Sequence, residues 1–444
     1  MMVTMKKIFL FLLLALSLSA NAQISKAKLF YFLNQQSSGD AYYYADLPTV
    51  PSNGGNPTTT LNSAAMGSSI TEAELNFPTS KIGLVGTYTN TLRASQLVGS
   101  EVAPIIFRPT SDIDYGIIDG TALGSGVNLI GQTGATISDW IEWHKLIATG
   151  NTGVGSMTGF KWTGKAGGSN ALVSDCIFID TQSPGMQFNG DGDAGTYGNM
   201  RISFTRVSGS NTDNECFYFG DTSTSGFGIV NTLTLNDLFG YNKGWDGLQI
   251  NSVENVYVNH VTIYDVGKTA ASGQKSLLQA QNIGDGAIIE NCIFWGAPKA
   301  FQIAGRNITF NNCIWYSDEE GFYQDVVLSA GYLEADVLST IGGTVTFNNC
   351  QIYSGIARAN GINIFEDKAN FVFNNCIFGT NITTPVADSR TDTGTYSITQ
   401  NNTTTAATPV TPTFNTLDFS DRDAGLVQEA FWRNTGAGYR NRLY

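Results

Sequence analysis

Two acidic residues stand at a spacing that suits acid–base chemistry. Glu215 and Asp246 are 31 residues apart, and Lys275 follows 29 residues after Asp246. If repeated units of about this length stack in register, the two carboxylates lie within a few ångströms of each other. Stacked carboxylates raise one another's pKa and a nearby ammonium lowers it, so one group can give a proton and the other accept one. We therefore predict Glu215, Asp246 and Lys275 as catalytic residues.

A second set of residues is typical of a surface that binds sugars. The outward position of a recurring short strand is mostly polar: it reads Gln187, Tyr218, Gln249, Gln279, Gln302, Leu328 and Asn363. Amides bond to sugar hydroxyls, and aromatic rings pack on the C–H faces of sugars. The predicted substrate-binding residues are Gln187, Tyr218, Trp245, Gln249, Gln279 and Gln302.

Both sets also have a simpler interpretation. The carboxylates would then be solvated charges at a strand edge, and the amides an ordinary polar ladder along a sheet. The residues alone leave these alternatives open.

Histidines and one acidic loop give weaker signals. The two histidines are His144 and His260, and His260 falls in a column of turn residues, so we interpret it as a corner residue. The segment NGDGDAG (189–195) begins like a calcium loop, but Met200 stands where the closing glutamate belongs. We interpret it as a solvated turn.

The elements that must position these residues are repeated short strands. The motif FNNC occurs at 310–313, 347–350 and 373–376. Aligned with similar segments, its cysteine defines a column that reads Cys176, Val207, Leu238, Val261, Cys292, Cys313, Cys350 and Cys376. Alternating strands that recur every 20–40 residues, with no helix between them, predict a solenoid of stacked coils.

The columns predict which side chains face the core. The cysteine column points inward and needs only small apolar volume, so we expect free buried thiols. The preceding position forms the corner, where asparagine tolerates a left-handed backbone and its amide can bond from coil to coil. The corner column reads Asp175, Arg206, Asp237, His260, Asn291, Asn312, Asn349 and Asn375.

With these repeats, and with the opening segments KIGLVGTYTNTLRAS (81–95) and APIIFRPTSDIDYGIIDG (103–120), the chain resembles secreted right-handed parallel β-helix proteins of the pectin-lyase-like superfamily. The resemblance covers residues 81–380. It implies an all-β fold, a right-handed parallel β-helix solenoid with capped ends, that acts on polysaccharide. Asn211-Thr212-Asp213 matches the first polygalacturonase motif, but the remaining motifs do not follow, and we reject that assignment.

The resemblance also bears on cofactors. In chondroitinase-B-like and alginate lyases of this fold, carboxylates hold a calcium ion, and a lysine and an arginine carry the protons. The match here is partial, because no acidic pair occupies the outward positions of one strand and the nearest arginine, Arg306, stands at the other end of its strand. The sequence therefore requires no cofactor, and calcium is the one ion that the resemblance allows.

The ends of the chain predict export and capping. Lys6 and Lys7, an apolar run and Ala20-Asn21-Ala22 describe a signal peptide (1–22) cleaved after Ala22, so we expect a secreted, cell-surface or periplasmic protein. Residues 23–80 are predicted as an N-terminal cap region, 81–380 as the β-helix, and 381–444 as a C-terminal closure with a Thr-rich linker (401–414).

The charge composition restricts the kinds of molecule that the protein can bind. Lys and Arg number 24 against 37 Asp and Glu, which argues against nucleic acid and against an anionic membrane surface. No segment beyond the signal peptide predicts membrane insertion. We expect a monomer whose partner is a polysaccharide or cell-surface glycan.

Two functions fit these observations. One is a polysaccharide lyase or glycoside hydrolase; the other is a non-catalytic glycan-binding or adhesin-like surface or matrix protein. A lyase needs a Lys/Arg pair facing carboxylates in one groove, whereas a binding protein needs only the polar strip and aromatic rings. The fold itself does not choose between them.

Overall fold

A computed structural model of the chain describes the greater part of the predicted β-helix. The chain divides into two compact units, Met1–Tyr44 and Ala45–Tyr444. The described residues all lie in the second unit and are 50–51, 57–58, 60–61, 81–84, 87–89, 91–94, 98–101, 104–109, 115–132, 138–151, 153, 155–164, 168–190, 196–208, 214–220, 229–241, 244–264, 266–267, 276–297, 299–305, 307–317, 326–330, 343–364, 369–390 and 396–405. The predicted signal peptide lies outside them.

Every described coil consists of strands that pair in parallel with the coils before and after it. This stacking confirms a parallel β-helix. Each turn contributes a strand to three faces, here called sheets A, B and C in chain order. The one antiparallel pair among the described residues joins Val50–Pro51 to Pro57–Thr58. No helix occurs in the described part of the chain, and hence none that is long and apolar enough to cross a membrane.

The strand bounds follow the three faces. Sheet A contains Thr60–Leu61, Lys81–Leu84, Ile105–Pro109, Ile141–His144, Ala171–Ser174, Thr196–Ser203, Ile288–Glu290, Thr309–Asn311, Thr344–Asn348, Asn370–Asn374 and Ile398–Asn401. Sheet B contains Thr87–Tyr88, Gly116–Asp119, Leu146–Thr149, Ile177–Ile179, Arg206–Ser208, Ile293–Ala297, Ile314–Ser317, Gln351–Ser354, Ile377–Phe378 and Thr404–Thr405. Sheet C contains Leu92–Arg93, Asn128–Gln132, Thr158–Gly164, Met186–Gly190, Phe217–Phe219, Ser276–Ile283, Lys299–Gly305, Val326–Ala330, Arg358–Ile364 and Ile382–Asp388. Two long strands turn corners: Ile229–Tyr241 runs through A and B, and Leu248–Tyr264 through C, A and B.

The FNNC motif is the corner between sheets A and B. Phe310 and Cys313 are fully buried in the core. Asn311 ends the strand and accepts a hydrogen bond from the Asn348 amide of the next coil at 2.9 Å. Asn312 turns the corner with φ 53°, in the left-handed region that asparagine tolerates. The repeat is therefore architectural, as predicted.

Hydrogen bonds between asparagine side chains continue to the last described coil. Asn374 donates to the preceding coil at 2.8 Å, and Asn401 donates to Asn374 at 2.9 Å. In the corner column itself, Asn375 donates to Asn349 at 3.3 Å and Asn402 to Asn375 at 3.2 Å. Two parallel amide ladders thus hold the coils in register along this corner.

A further ladder, at the start of sheet A, was not predicted. The Asp139 carboxylate accepts from the Asn170 amide at 2.8 Å, Asn170 accepts from Asn199 at 2.8 Å, and Asn199 from Asn231 at 2.9 Å. The sequence contains no repeated motif around these residues, so the alignment of coils was needed to find it.

The cysteine column contains Thr205 at the place predicted for Val207, so that prediction is wrong. Val207 pairs with Phe178, which puts Thr205 beside Cys176. The Thr205 hydroxyl donates to the carbonyl two residues earlier at 2.9 Å, and the Cys176 thiol does the same at 3.3 Å. Threonine and cysteine both fit this inward position. An alignment that considered only apolar residues therefore selected Val207 instead of Thr205.

The corner column contains Phe204 at the place predicted for Arg206, which is the same two-residue error. Phe204 has φ 48°, close to the 55° of Asp175 and the 59° of Asp237 in this column. Arg206 instead begins a strand of sheet B in register with Phe239. A phenylalanine with positive φ is uncommon, so no local propensity pointed to it.

The core is a continuous cluster of apolar side chains along the axis of the coils. Rings of successive coils stack on one another: Phe310 and Phe347 have centroids 4.8 Å apart, and Phe347 and Phe373 4.9 Å apart. These separations match the spacing of neighbouring strands, about 4.8 Å. In-register stacking of identical side chains therefore stabilises the repeat.

All six cysteines are free and buried. In the successive coils from Cys292 to Cys376, each thiol of the column donates to the main-chain carbonyl two residues earlier, at 3.2–3.6 Å. Burial raises the pKa of the Cys313 thiol well above its usual range, so it stays neutral. Cys216, outside the column, is also buried in the core.

Parallel pairing extends beyond the predicted bounds of the β-helix at both ends. Ile382–Asp388 pairs with the preceding coil of sheet C, and Thr404–Thr405 with that of sheet B. At the other end, Thr60–Leu61 pairs with Lys81–Leu84. The predicted closure and cap regions thus each contribute strands to the stack.

Candidate functional site

The predicted sugar-binding strip is the outward column of sheet C. Gln187 pairs with Tyr218, Tyr218 with Gln249, Gln249 with Gln279, and Gln279 with Gln302. The residues on either side of Gln249 and Gln279 belong to the core cluster, so these amides point away from it. We call this set, Gln187 to Gln302, the amide column; only the backbone of Gln302 is described.

The continuation of the strip differs from the prediction at one residue. Gln302 pairs with Ser329, and Ser329 with Asn363. Leu328 pairs with Phe301 instead, so its assignment to the outward column is wrong. The strand has no glutamine to mark its register, which explains the one-residue slip.

A second outward column runs two residues further along each strand. Asn189 occupies it on one coil, Gly220 on the next and Asn251 on the next, where Asn251 pairs with Gln281. Gly220 has φ 85°, and a Cβ added there would lie 1.5 Å from the Asn251 carbonyl oxygen. The backbone approaches so closely that only glycine fits.

Polar groups on this face are buried without hydrogen-bond partners. Gln279 is 0% exposed and Asn251 1% exposed. No hydrogen-bond partner occurs among the described residues for either amide atom of Gln279 or for either amide atom of Asn251. The same holds for the Asn189 Oδ1 and the Ser276 Oγ. An unsatisfied buried polar group costs about 1–3 kcal/mol. Six such atoms on three strands of sheet C therefore mark a place that stability alone does not explain.

The two predicted carboxylates stand at the beginning of the same strands. The Cys216 N–H donates to the Asp246 carbonyl at 3.1 Å, and the Gly247 N–H donates to the Ser276 carbonyl at 2.9 Å. This register places Glu215, Asp246 and Ser276 in one column on successive coils. Glu215 is 7% exposed and Asp246 2% exposed, so neither is a freely solvated edge charge.

Asp246 is held by the main chain of the next coil. Its Oδ1 accepts the Ser276 N–H at 2.5 Å, a bond that stabilises the ionised carboxylate. The half-buried Trp245 precedes it, with its N–H 3.4 Å from the Asn214 carbonyl. Lys275, the third predicted catalytic residue, lies outside the described residues.

Lys161 stands one coil before the amide column, in register with it, and was not predicted from the sequence. It pairs with Gln187 on one side and with Gly131 on the other. Burial lowers the pKa of its half-buried ammonium, and no hydrogen bond or ion pair to it occurs in the described part of the chain. The signal was present: TGFKWTG (158–164) alternates like the later strands, but it contains no glutamine to align with them.

The outer face of sheet B is less suited to sugars, although it carries a row of aromatic residues. Tyr241 and Tyr264 stack with centroids 5.4 Å apart, and Trp295 and Tyr316 with centroids 4.0 Å apart. Rings stacked face to face along the axis cover the faces that a sugar would need. This row acts as a structural ladder.

His260 occupies the predicted corner position, with φ 53°. Its Nδ1 lies 3.4 Å from an Asp237 carboxylate oxygen, and burial lowers its pKa despite the nearby Glu290. The other histidine, His144, contacts Glu142 at 2.8 Å. Neither histidine lies on sheet C.

The described residues contain no carboxylate cluster for a metal ion. Within the described ranges, no group of three or more His, Cys, Asp or Glu side chains could hold a metal ion. One Asp246 oxygen is already engaged by the Ser276 N–H. We therefore assign no step to a metal.

Comparison with known proteins bears on the fold alone. No family model and no curated protein matches the sequence. Among solved structures, the GH136 lacto-N-biosidase from Eubacterium ramulus is similar over 76% of this chain and 64% of its own, with 8% identity and a TM-score of 0.44. The chain thus spans less than two thirds of that enzyme. An alginate lyase from a Paenibacillus species is similar over 78% of this chain and 98% of its own, with 12% identity and a TM-score of 0.34.

Proposed function

We propose that the protein binds a glycan along the outer face of sheet C and cleaves it at Glu215 and Asp246. The observation that carries the proposal is the set of buried, unpartnered amide and hydroxyl atoms beside two stacked carboxylates. Sugar hydroxyls both donate and accept hydrogen bonds, so they match amides such as Gln279 and Asn251, which offer both. A glycan that displaces the groups covering these atoms would remove the cost of leaving them unsatisfied.

Hydrolysis suits the carboxylates better than elimination. Glu215 protonates the glycosidic oxygen while Asp246 attacks the anomeric carbon, and the leaving sugar departs. Water then attacks the resulting ester, gives its proton to Glu215, and both carboxyl groups return to their first state. Adjacent coils are about 4.8 Å apart, nearer to the ~5–5.5 Å of this two-step mechanism than to the ~6.5–9.5 Å of direct displacement by water.

The assignment of roles follows from the hydrogen bond to Asp246. A main-chain N–H at 2.5 Å favours its ionised form, which is the form that attacks. Glu215 then supplies the proton. A uronate carboxylate at the cleaved unit would be repelled by this pair, so we propose a neutral sugar there.

The second candidate is glycan binding without cleavage. It is favoured by the same hydrogen bond, because a carboxylate that accepts a main-chain N–H at a strand start can serve only to hold the turn. The amide column would then account for all binding.

A panel of neutral and uronic-acid polysaccharides tests these candidates. Hydrolysis predicts new reducing ends without the ultraviolet absorbance of unsaturated products. Unsaturated products would replace hydrolysis by elimination, and binding without any product would establish the second candidate. The double variant Glu215→Gln/Asp246→Asn controls for contaminating activity, and the exposed Asp285→Asn is the matched control.

We further propose that the protein is exported and begins at Gln23 when mature. The basic start and Ala20-Asn21-Ala22 support this, and export would bring the site to extracellular glycans. Mass spectrometry of the protein from its native host decides it, since an N-terminus at Met1 would contradict export by cleavage.

A further inference from the structure

We infer that Lys161 binds an anionic group of the glycan, a carboxylate or a sulfate, at the N-terminal end of the amide column. This rests on the proposed function and adds a charge preference to it. Lys161 stands in register with Gln187, so a chain that lies along the amide column reaches it.

The electrostatics of Lys161 call for an anion. The chain has 37 acidic and 24 basic residues, yet this half-buried ammonium has no carboxylate partner in the described ranges. Burial without a partner lowers the pKa of Lys161, because the charged form loses solvation and gains nothing in return. A carboxylate or sulfate oxygen compensates for the lost solvation of the ammonium through a charge-assisted hydrogen bond.

The neighbouring coil presents no side chain directly beside Lys161. Gly131 is the partner of Lys161 on that side, and it has φ 125°. A Cβ added at Gly131 would lie 2.0 Å from the Lys161 carbonyl oxygen. Glycine is therefore required there, and no side chain from that position covers the flank of Lys161.

The distance along the axis separates the anionic group from the cleaved bond. Lys161 is two coils from Glu215, by way of Gln187 and Tyr218. Two strand spacings are about 10 Å, and a pyranose ring is comparable in length to one spacing. Lys161 also lies three residues, about 10 Å, further along its strand than Glu215 does. The preferred substrate is thus a heteroglycan in which an anionic sugar lies about two to three units from a neutral sugar at the carboxylates.

Paired glycans test this preference. The probes are glucuronoxylan with its carboxyl-reduced form, and a sulfated galactan with its desulfated form, each titrated calorimetrically at low and high salt. The inactive Glu215→Gln/Asp246→Asn protein is used throughout, so that binding is measured without cleavage. We expect this protein, with Lys161 in place, to bind at least one anionic glycan with an affinity about tenfold or more above that for its neutral partner. The pair that shows the preference identifies the anion.

Variants of Lys161 assign the preference to the residue. Lys161→Met keeps the aliphatic stem and should abolish the preference for the anionic member of the pair. Lys161→Arg keeps the charge and should retain most of it. The Lys161→Met change removes a desolvated cation that has no ion partner in the described ranges. The unfolding midpoint of this variant should therefore equal or exceed that of the parent protein, which separates loss of binding from loss of fold.

The outcomes distinguish the two proposals. Equal affinity for both members of each pair, or a preference that survives Lys161→Met, overturns the inference and leaves glycan binding intact. If none of the four glycans binds, the proposed glycan binding is wrong, and so is the role of Lys161. Loss of the preference in Lys161→Met with its retention in Lys161→Arg supports both.

Discussion

The Asp246 carbonyl oxygen accepts a hydrogen bond from the Cys216 N–H at 3.1 Å, and this bond sets Glu215 beside Asp246 on adjacent coils. Both carboxylates are buried at the start of strands of sheet C. On the strand that follows Asp246, both amide atoms of Asn251 are buried with no hydrogen-bond partner among the described residues. Register, rather than proximity along the chain, therefore creates the candidate site.

Asp246→Asn should abolish cleavage and spare the fold. The asparagine Oδ1 still accepts the Ser276 N–H, whereas the neutral amide cannot attack the anomeric carbon. We expect at least a hundredfold loss in kcat, on the order of that for other acid–base groups, measured as reducing ends released. Asp285→Asn, at an exposed corner, should keep full activity. Full activity in Asp246→Asn would remove it from the mechanism.

Gln279→Leu should stabilise the protein and weaken glycan binding. Both amide atoms of Gln279 are buried without partners, so an apolar side chain of similar size removes a penalty of about 1–3 kcal/mol. Chemical denaturation measures the gain, and calorimetric titration with glycan measures the loss. Gln400→Leu, at an exposed position of sheet A, should change neither binding nor stability appreciably. A destabilised Gln279→Leu protein would show that the amide has a structural role.

Gly220→Ala should destabilise the chain severely. Its φ of 85° is unfavourable for alanine, and the new Cβ would lie 1.5 Å from the Asn251 carbonyl oxygen. We expect a loss of at least about 2 kcal/mol in the free energy of unfolding. Gly124→Ala is the matched control, because a Cβ there meets nothing within 4 Å. Equal stability of the two variants would contradict the close approach of these coils.

His260→Asn should remove a part of the acid sensitivity of folding. Burial lowers the folded-state pKa of His260, although Asp237 lies 3.4 Å away and Glu290 opposes the shift. Below about pH 6.5 the unfolded chain therefore binds the proton more readily than the folded one. The wild type should lose stability relative to the variant as pH falls from about 6.5 toward the folded pKa. Urea denaturation between pH 8 and 5 measures this, and a constant difference would refute the shift.

Cys313→Val should cost less than about 1.5 kcal/mol, because its column already contains Val261 and Leu238 and the change keeps an apolar side chain of similar size. Free thiols further predict that all six cysteines react in denaturant without reductant. Recovery of four or fewer would show that disulfides form in the native protein.

The sequence by itself determined the architecture and much of the candidate site. Alternation, the FNNC repeat and asparagine's tolerance of positive φ are local properties, so they identified the inward cysteines and the corner at Asn312 without a structure. The register of the amide column from Gln187 to Gln302 was also predicted correctly, because glutamine marks four of its five coils. The error at Thr205 arose where no repeated residue marked the register and two side-chain types satisfy the same position.

Only the tertiary structure decided which of these side chains are buried and which lack partners. A strand pattern shows that Gln279 and Asn251 point away from the core, but not that they are closed off from water. It cannot show that Lys161 has no ion partner among the residues that the structure describes, since that depends on residues far away in the sequence. Burial and partnership are properties of the assembled coils, and they turn a polar ladder into a candidate binding site.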